Sequence, residues 1–100
     1  MPAKVIISSA ALSHIEEIAD YITAEEGNPT RALALVRALR TRCESLEDLP
    51  ERGAPFKGRY RRIFEGRYQI IYRIAHDGPE RTVYILVVHD MRRRDPNVTG

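Results

Sequence analysis

The chain has 100 residues, 43% of them hydrophobic, which suits one domain with one core, so residues 1–100 are read as a single domain. No run approaches the roughly 18 apolar residues of a membrane span, MPAKVIISS lacks the apolar stretch of a secretory signal, and the lone Cys43 excludes an intrachain disulfide and fits a reducing cytoplasm. The net charge of +2 hides a division: residues 1–51 carry five cations against nine acids, and residues 52–100 carry eleven against five. Fourteen of the sixteen cations are Arg, and such a one-sided excess points to an anionic partner, either nucleic acid or an acidic protein segment.

Val5-Ile6-Ile7 predicts a short strand. Ser8-Ser9 offers a helix cap, and Leu12, Ile15, Ile18, Ala19 and Ile22 make one helical stripe, with Glu16, Glu17 and Asp20 on the solvated side. Gly27 predicts a left-handed stop. Asn28-Pro29 then starts a second helix, whose stripe is Ala32, Leu35, Val36, Leu39, Cys43 and Leu46 and whose end is expected near Asp48. The short connection makes an antiparallel helical hairpin.

Residues 50–58 read as a loop, and from there the pattern changes to period two. Tyr60, Arg62 and Phe64 alternate with Arg59, Arg61 and Ile63. Glu65-Gly66 makes a tight turn. Tyr68, Ile70, Tyr72 and Ile74 are expected under the helices, with Arg67, Gln69, Ile71 and Arg73 on the other face. His76-Asp77-Gly78-Pro79 is a second turn, and Thr82 to Val88 predicts a strand buried on both faces. Arg92-Arg93-Arg94 leads into a closing turn at Asp95-Pro96. The expected fold is α+β, a two-layer β-α-α-β-β-β domain with the hairpin packed on a small antiparallel sheet.

The arginine set is the main chemical signal, because each guanidinium offers a planar fork for phosphate or carboxylate. The plain alternative is a solvated sheet face neutralised by Glu65, Glu80 and Asp90. His89 ends the last strand and is read either as a base or phosphate donor or as a residue capped by Asp90. His14, His76 and His89 lack metal-ligand spacing, so no metal site is expected. Cys43 sits on an apolar stripe and is read as core.

The β-α-α-β-β-β order, Asn28-Pro29, Leu46-Glu47-Asp48-Leu49-Pro50 followed by Gly53, the strand from Gly66 to Ile74 and the close Val87-Val88-His89-Asp90-Met91-Arg92-Arg93-Arg94-Asp95-Pro96 together resemble the ParE branch of the RelE/ParE toxin superfamily. The resemblance covers nearly the whole chain. It implies the cytoplasmic toxin of a bacterial type II toxin–antitoxin module, with no cofactor and with DNA gyrase as target. It also implies a cognate antitoxin whose C-terminal segment wraps the toxin, and possible higher-order toxin–antitoxin oligomers. The apolar residues beyond the tightest helical stripe (Leu33, Ala34, Leu35 and Ala38) are the expected antitoxin seat, with antitoxin acids reaching the arginines.

RelE-like relatives instead cut mRNA on the ribosome. They typically place a basic residue where this chain has Gln69 and two alternating basic residues where it has Tyr60 and Arg62. They often carry a Tyr in the C-terminal segment, where none follows Tyr84. The expectation is therefore a non-enzymatic inhibitor with Arg59, Arg61, Arg73, His89, Arg92 and Arg93 as its binding surface. The alternative is a metal-independent endoribonuclease using Arg61, Arg62, Arg73 and His89.

Overall fold

Val5, Ile6 and Ile7 form the first strand, β1 (Lys4–Ile7), and Ser8 turns the chain into α1 (Ser9–Glu26). The Ser8 hydroxyl accepts from the Ala11 N–H at 3.1 Å, satisfying one of the orphan donors of the first turn. Gly27 stops α1 at φ 60°, and Asn28 starts α2 (Pro29–Glu44) by accepting from the Arg31 N–H at 3.0 Å. A 3₁₀ turn at Ser45–Glu47 carries the helical path to Asp48, as the spacing predicts. The computed structural model describes residues 2–94, 96 and 98, and of Asp77 only the backbone. Asp95, expected in the closing turn, lies outside the described residues.

The stretch expected to be a loop holds more order than that. Pro50–Arg52 forms a 3₁₀ turn, and β2 (Ala54–Phe56) pairs antiparallel with β3 (Tyr60–Glu65). Its edge position tolerates Pro55, which has no N–H to give a second neighbour. β4 (Tyr68–Asp77) and β5 (Glu80–Asp90) complete the sheet, and Gly66 (φ 56°) and Gly78 (φ 63°) supply the left-handed residues of the two hairpin turns. The turn expected over residues 76–79 shrinks to Gly78-Pro79, because the strands stay paired out to Asp77 and Glu80.

Among the described residues the sheet has five strands in the order β1-β5-β4-β3-β2. The meander from β2 to β5 is antiparallel, whereas β1 lies parallel to β5. Sequential pairing did not anticipate that last contact. It arises because the meander leaves one edge of β5 open and β1 covers half of it. The helices cover one face, where Leu39, Cys43 and Leu46 meet Ile70, Tyr72 and Ile85 in a fully buried core. Burial pushes the Cys43 thiol up to about 12, so it packs as an inert apolar group. Among the described residues no helix is long and apolar enough to cross a membrane.

Tyr72 ties this core to the turn before β2. Its hydroxyl donates to the Pro50 carbonyl at 2.6 Å and accepts from the Gly53 N–H at 3.0 Å. Burial holds the phenol above the ordinary tyrosine range, against the opposing Gly53 bond and the charges of Arg61 and Arg52, so the ring stays neutral. Gly53 is required here for space. A Cβ would lie 2.5 Å from the Tyr72 hydroxyl and 2.8 Å from the Arg62 carbonyl oxygen. Tyr72→Phe should therefore lower stability by about 1–3 kcal/mol, the cost of stranding two buried backbone groups. Gly53→Ala should cost at least as much. Urea unfolding of both variants checks this, and wild-type midpoints would disprove the latch.

Candidate functional site on the outer sheet face

The face away from the helices gathers the chemistry. Tyr60, Arg62 and Phe64 of β3 alternate onto it, while Arg61, Ile63 and Glu65 turn to the helix side. Gln69, Ile71 and Arg73 of β4 lie on the same outer face. β5 contributes Tyr84, Leu86, Val87 and His89, because its register against β4 shifts at Ile71/Tyr72. The extra residue is Leu86, since Val87 pairs with Ile71 and Ile85 with Tyr72. Strict alternation from Val83 and Ile85 would have sent His89 under the helices. After the bulge Val88 enters the core instead, and His89 stands opposite Gln69.

A single hydrogen-bonded chain crosses this face. Arg62 Nη1 donates to Gln69 Oε1 at 3.1 Å, Gln69 Nε2 meets His89 Nδ1 at 2.9 Å, and His89 Nε2 meets the Arg94 carbonyl at 2.6 Å. Arginine has only donors, so the Gln69 oxygen must face Arg62 and its NH₂ must face His89. Nδ1 then accepts, and Nε2 carries the hydrogen that Arg94 receives. Both ring nitrogens are thus engaged. Sequence reading offered Asp90 as the cap of His89. The structure gives that place to Gln69 and Arg94, because Asp90 points to the other face.

The arginines named from the sequence do not form one cluster. Arg62 and Arg73 share the outer face a diagonal step apart across β3 and β4. Arg62 lies over Phe56 at 4.5 Å and Phe64 at 5.4 Å, and Arg73 lies over Tyr84 at 4.4 Å. Among the described residues no carboxylate pairs with either, and the Arg73 Nε is buried without a hydrogen-bond partner. Arg59 lies over Tyr60 at 5.5 Å. Arg61 is on the helix side, donating to the Gly53 and Glu51 carbonyls at 2.8 and 3.3 Å. Arg93 lies over Tyr21 of α1 at 5.6 Å.

Arg92 is held by Asp90, which is only 8% exposed. Its carboxylate takes Arg92 Nη2 at 2.9 Å, the Arg92 backbone N–H at 3.0 Å and the Arg67 Nε at 3.4 Å. Burial alone would raise the Asp90 carboxyl. The Arg92 hydrogen bonds and the two nearby charges outweigh it and hold the group below the ordinary carboxylate range.

Two further features escaped the sequence reading. His14, which the helical stripe placed among apolar residues, accepts from the Val88 N–H at 3.3 Å through Nδ1 and so caps the β5 edge beyond the end of β1. Gln69, read only as a departure from a basic position, is the buried bridge of the outer-face chain. Neither role has a local signal, since both partners are distant in sequence. Among the described residues no group of three or more His, Cys, Asp or Glu is placed to hold a metal.

Asp90 supplies the test of this arrangement. A carboxyl depressed in the fold adds stability above its unfolded value of about 3.9, and the gain is lost as pH falls through the folded value. Asp90→Asn should cost about 1–3 kcal/mol at pH 7, with the gap to wild type closing below about pH 4. Thermal melts across pH measure this, and a pH-independent gap would contradict it.

The comparisons with known proteins accord with this geometry. A comparison with curated proteins found no match. Among solved structures, a chain of the chromosomal ParDE TA system from P. aeruginosa superposes with a TM-score of 0.75 at 16% identity, covering 88% of this chain and 95% of that one. A chain of the toxin–antitoxin complex RelBE2 (Rv2865-2866) from Mycobacterium tuberculosis gives 0.66 at 23% identity, over 90% and 99%. At these identities the likenesses establish the shared fold. Residues 5–95 match the family model described as ParE toxin of type II toxin–antitoxin system, parDE, and the chain belongs to that toxin family.

Proposed function

We propose that this ParE-family toxin acts in the cytoplasm by binding DNA gyrase, without catalysis, and that a cognate antitoxin neutralises it. The observation that carries the non-catalytic reading is the engagement of both His89 ring nitrogens. Metal-independent RNA cleavage needs a base for the 2′-OH and a donor for the leaving oxygen. The outer face offers cations in Arg62 and Arg73, and its one histidine is bonded at both nitrogens. As contacts, these cations suit phosphate or carboxylate groups of a target. Arg59, Arg92 and Arg93 extend the cationic surface around the sheet's rim.

The helical hairpin supplies apolar anchors for the antitoxin. Leu33 is 51% exposed and Leu12 37%. Ala34 is exposed as well, whereas Leu35 packs against the core and Ala38 is half-buried, so the apolar seat is narrower than the sequence stripe suggests. Higher-order toxin–antitoxin oligomers fit the same reading, because the hairpin and the outer face lie on opposite sides of the sheet and can be engaged together.

The second reading is a ribosome-dependent endoribonuclease, favoured by one observation: Arg62 and His89 share a face and a hydrogen-bonded link through Gln69. Purified toxin added to gyrase and supercoiled plasmid should change supercoiling or trap cleaved complexes. No change at any toxin excess would sink the gyrase reading. Translating ribosomes with mRNA should show no toxin-dependent cleavage. Cleavage that falls at least tenfold in His89→Ala, a loss of the size expected on removing a general base, would establish the second reading instead.

A further inference from the structure

The outer face is already partly occupied. Ile71, Leu86 and Val87 form a small apolar floor between the two carboxylate-free arginines, and Val98 packs onto it. The segment that delivers Val98 crosses the end of β5. Arg93 lies over Tyr21 on α1, and Pro96 walls a cleft of about 190 Å³ beside Ile18 and Val88. The Arg94 carbonyl closes on His89 Nε2 at 2.6 Å. The chain thus lays a stretch of its own backbone, carrying one branched aliphatic side chain, onto the face that presents Arg62 and Arg73.

We propose that this face is a groove for an extended acidic peptide, and that the segment carrying Arg94, Pro96 and Val98 is a resident competitor for it. In the bound state an aliphatic side chain of the peptide takes the Val98 seat, and carboxylates take Arg62 and Arg73. The resident segment leaves that second requirement unmet, because no described acid reaches either guanidinium. The buried, unpartnered Arg73 Nε marks where an acceptor is missing.

A peptide fits better than a nucleic-acid strand. Base stacking needs open aromatic faces. Here Phe56, Phe64, Tyr60 and Tyr84 each already have one face covered by a guanidinium. The floor itself is aliphatic, which suits a Val, Ile or Leu side chain. The proposal rests on the toxin–antitoxin reading only in naming the antitoxin as a source of such a peptide.

The test titrates a labelled peptide of alternating Glu and Val into the full chain, a chain ending at Arg94, Val98→Asn and Arg73→Gln, followed by fluorescence anisotropy. If the segment holds the floor about nine-tenths of the time, its removal tightens apparent affinity about tenfold. Val98→Asn, which keeps the chain length, should move in the same direction. Arg73→Gln should weaken binding about tenfold, and replacing Glu by Ser in the peptide should do the same. Equal affinity for the full and shortened chains, no effect of Arg73→Gln, or tighter Arg73-dependent binding of oligouridylate than of the peptide would each overturn the proposal. Rescue of toxin-inhibited growth by the cognate antitoxin reads the toxin assignment separately. Rescue together with unchanged peptide affinity on shortening overturns the groove alone.

Discussion

β5 carries Val83 and Ile85 into the core at period two, and then one extra residue, Leu86, reverses the parity of everything after it. Without that step Val87 and His89 would lie under the helices, and the outer face would lose both its apolar floor and its only histidine. With it, Val88 closes the core, Leu86 and Val87 meet Ile71, and His89 comes opposite Gln69. A bulge in a long central strand re-aims side chains at the cost of one irregular pair. The candidate site is a product of that irregularity.

The charges divide around this frame by their partners. Asp90 consumes Arg92 and Arg67 on one side of the sheet, Glu65 takes Arg42, and Glu51 takes Arg81. Arg61 is spent on backbone carbonyls near Gly53, where Tyr72 also anchors the turn. What remains without a carboxylate on the outer face is Arg62 and Arg73, each resting on aromatic rings. The cationic excess of residues 52–100 therefore overstates the surface open to a partner. The acids of the first half behave more simply: Glu16, Glu17 and Asp20 are exposed along α1.

Helix starts, helix stops and strand faces were legible because their causes are local. Ser8, Gly27 and Asn28-Pro29 each act within one turn, and the Tyr68-Ile70-Tyr72-Ile74 alternation needs only a pleat. The parallel pairing of β1 with β5 was not legible, since it joins the two ends of the chain. Nor was β2, whose three residues become a strand only because β3 offers an edge. The site suffered most. Arg61 and Arg62 are neighbours in sequence and lie on opposite faces, and which one meets Arg73 depends on a register no composition reveals. His89 was found as a residue, but its partners were not, because Gln69 and Arg94 reach it through the bulge and the tail.

The central claim is that Arg62 and Gln69 fix the His89 ring with Nδ1 as acceptor and Nε2 as donor, so that the histidine is a structural bridge. Long-range ¹H–¹⁵N NMR of the imidazole reads this directly in the neutral ring. The account predicts a single Nε2–H tautomer that turns into a mixture in Gln69→Ala. An Nδ1–H ring in the wild type, or a tautomer mixture indifferent to Gln69, would contradict it.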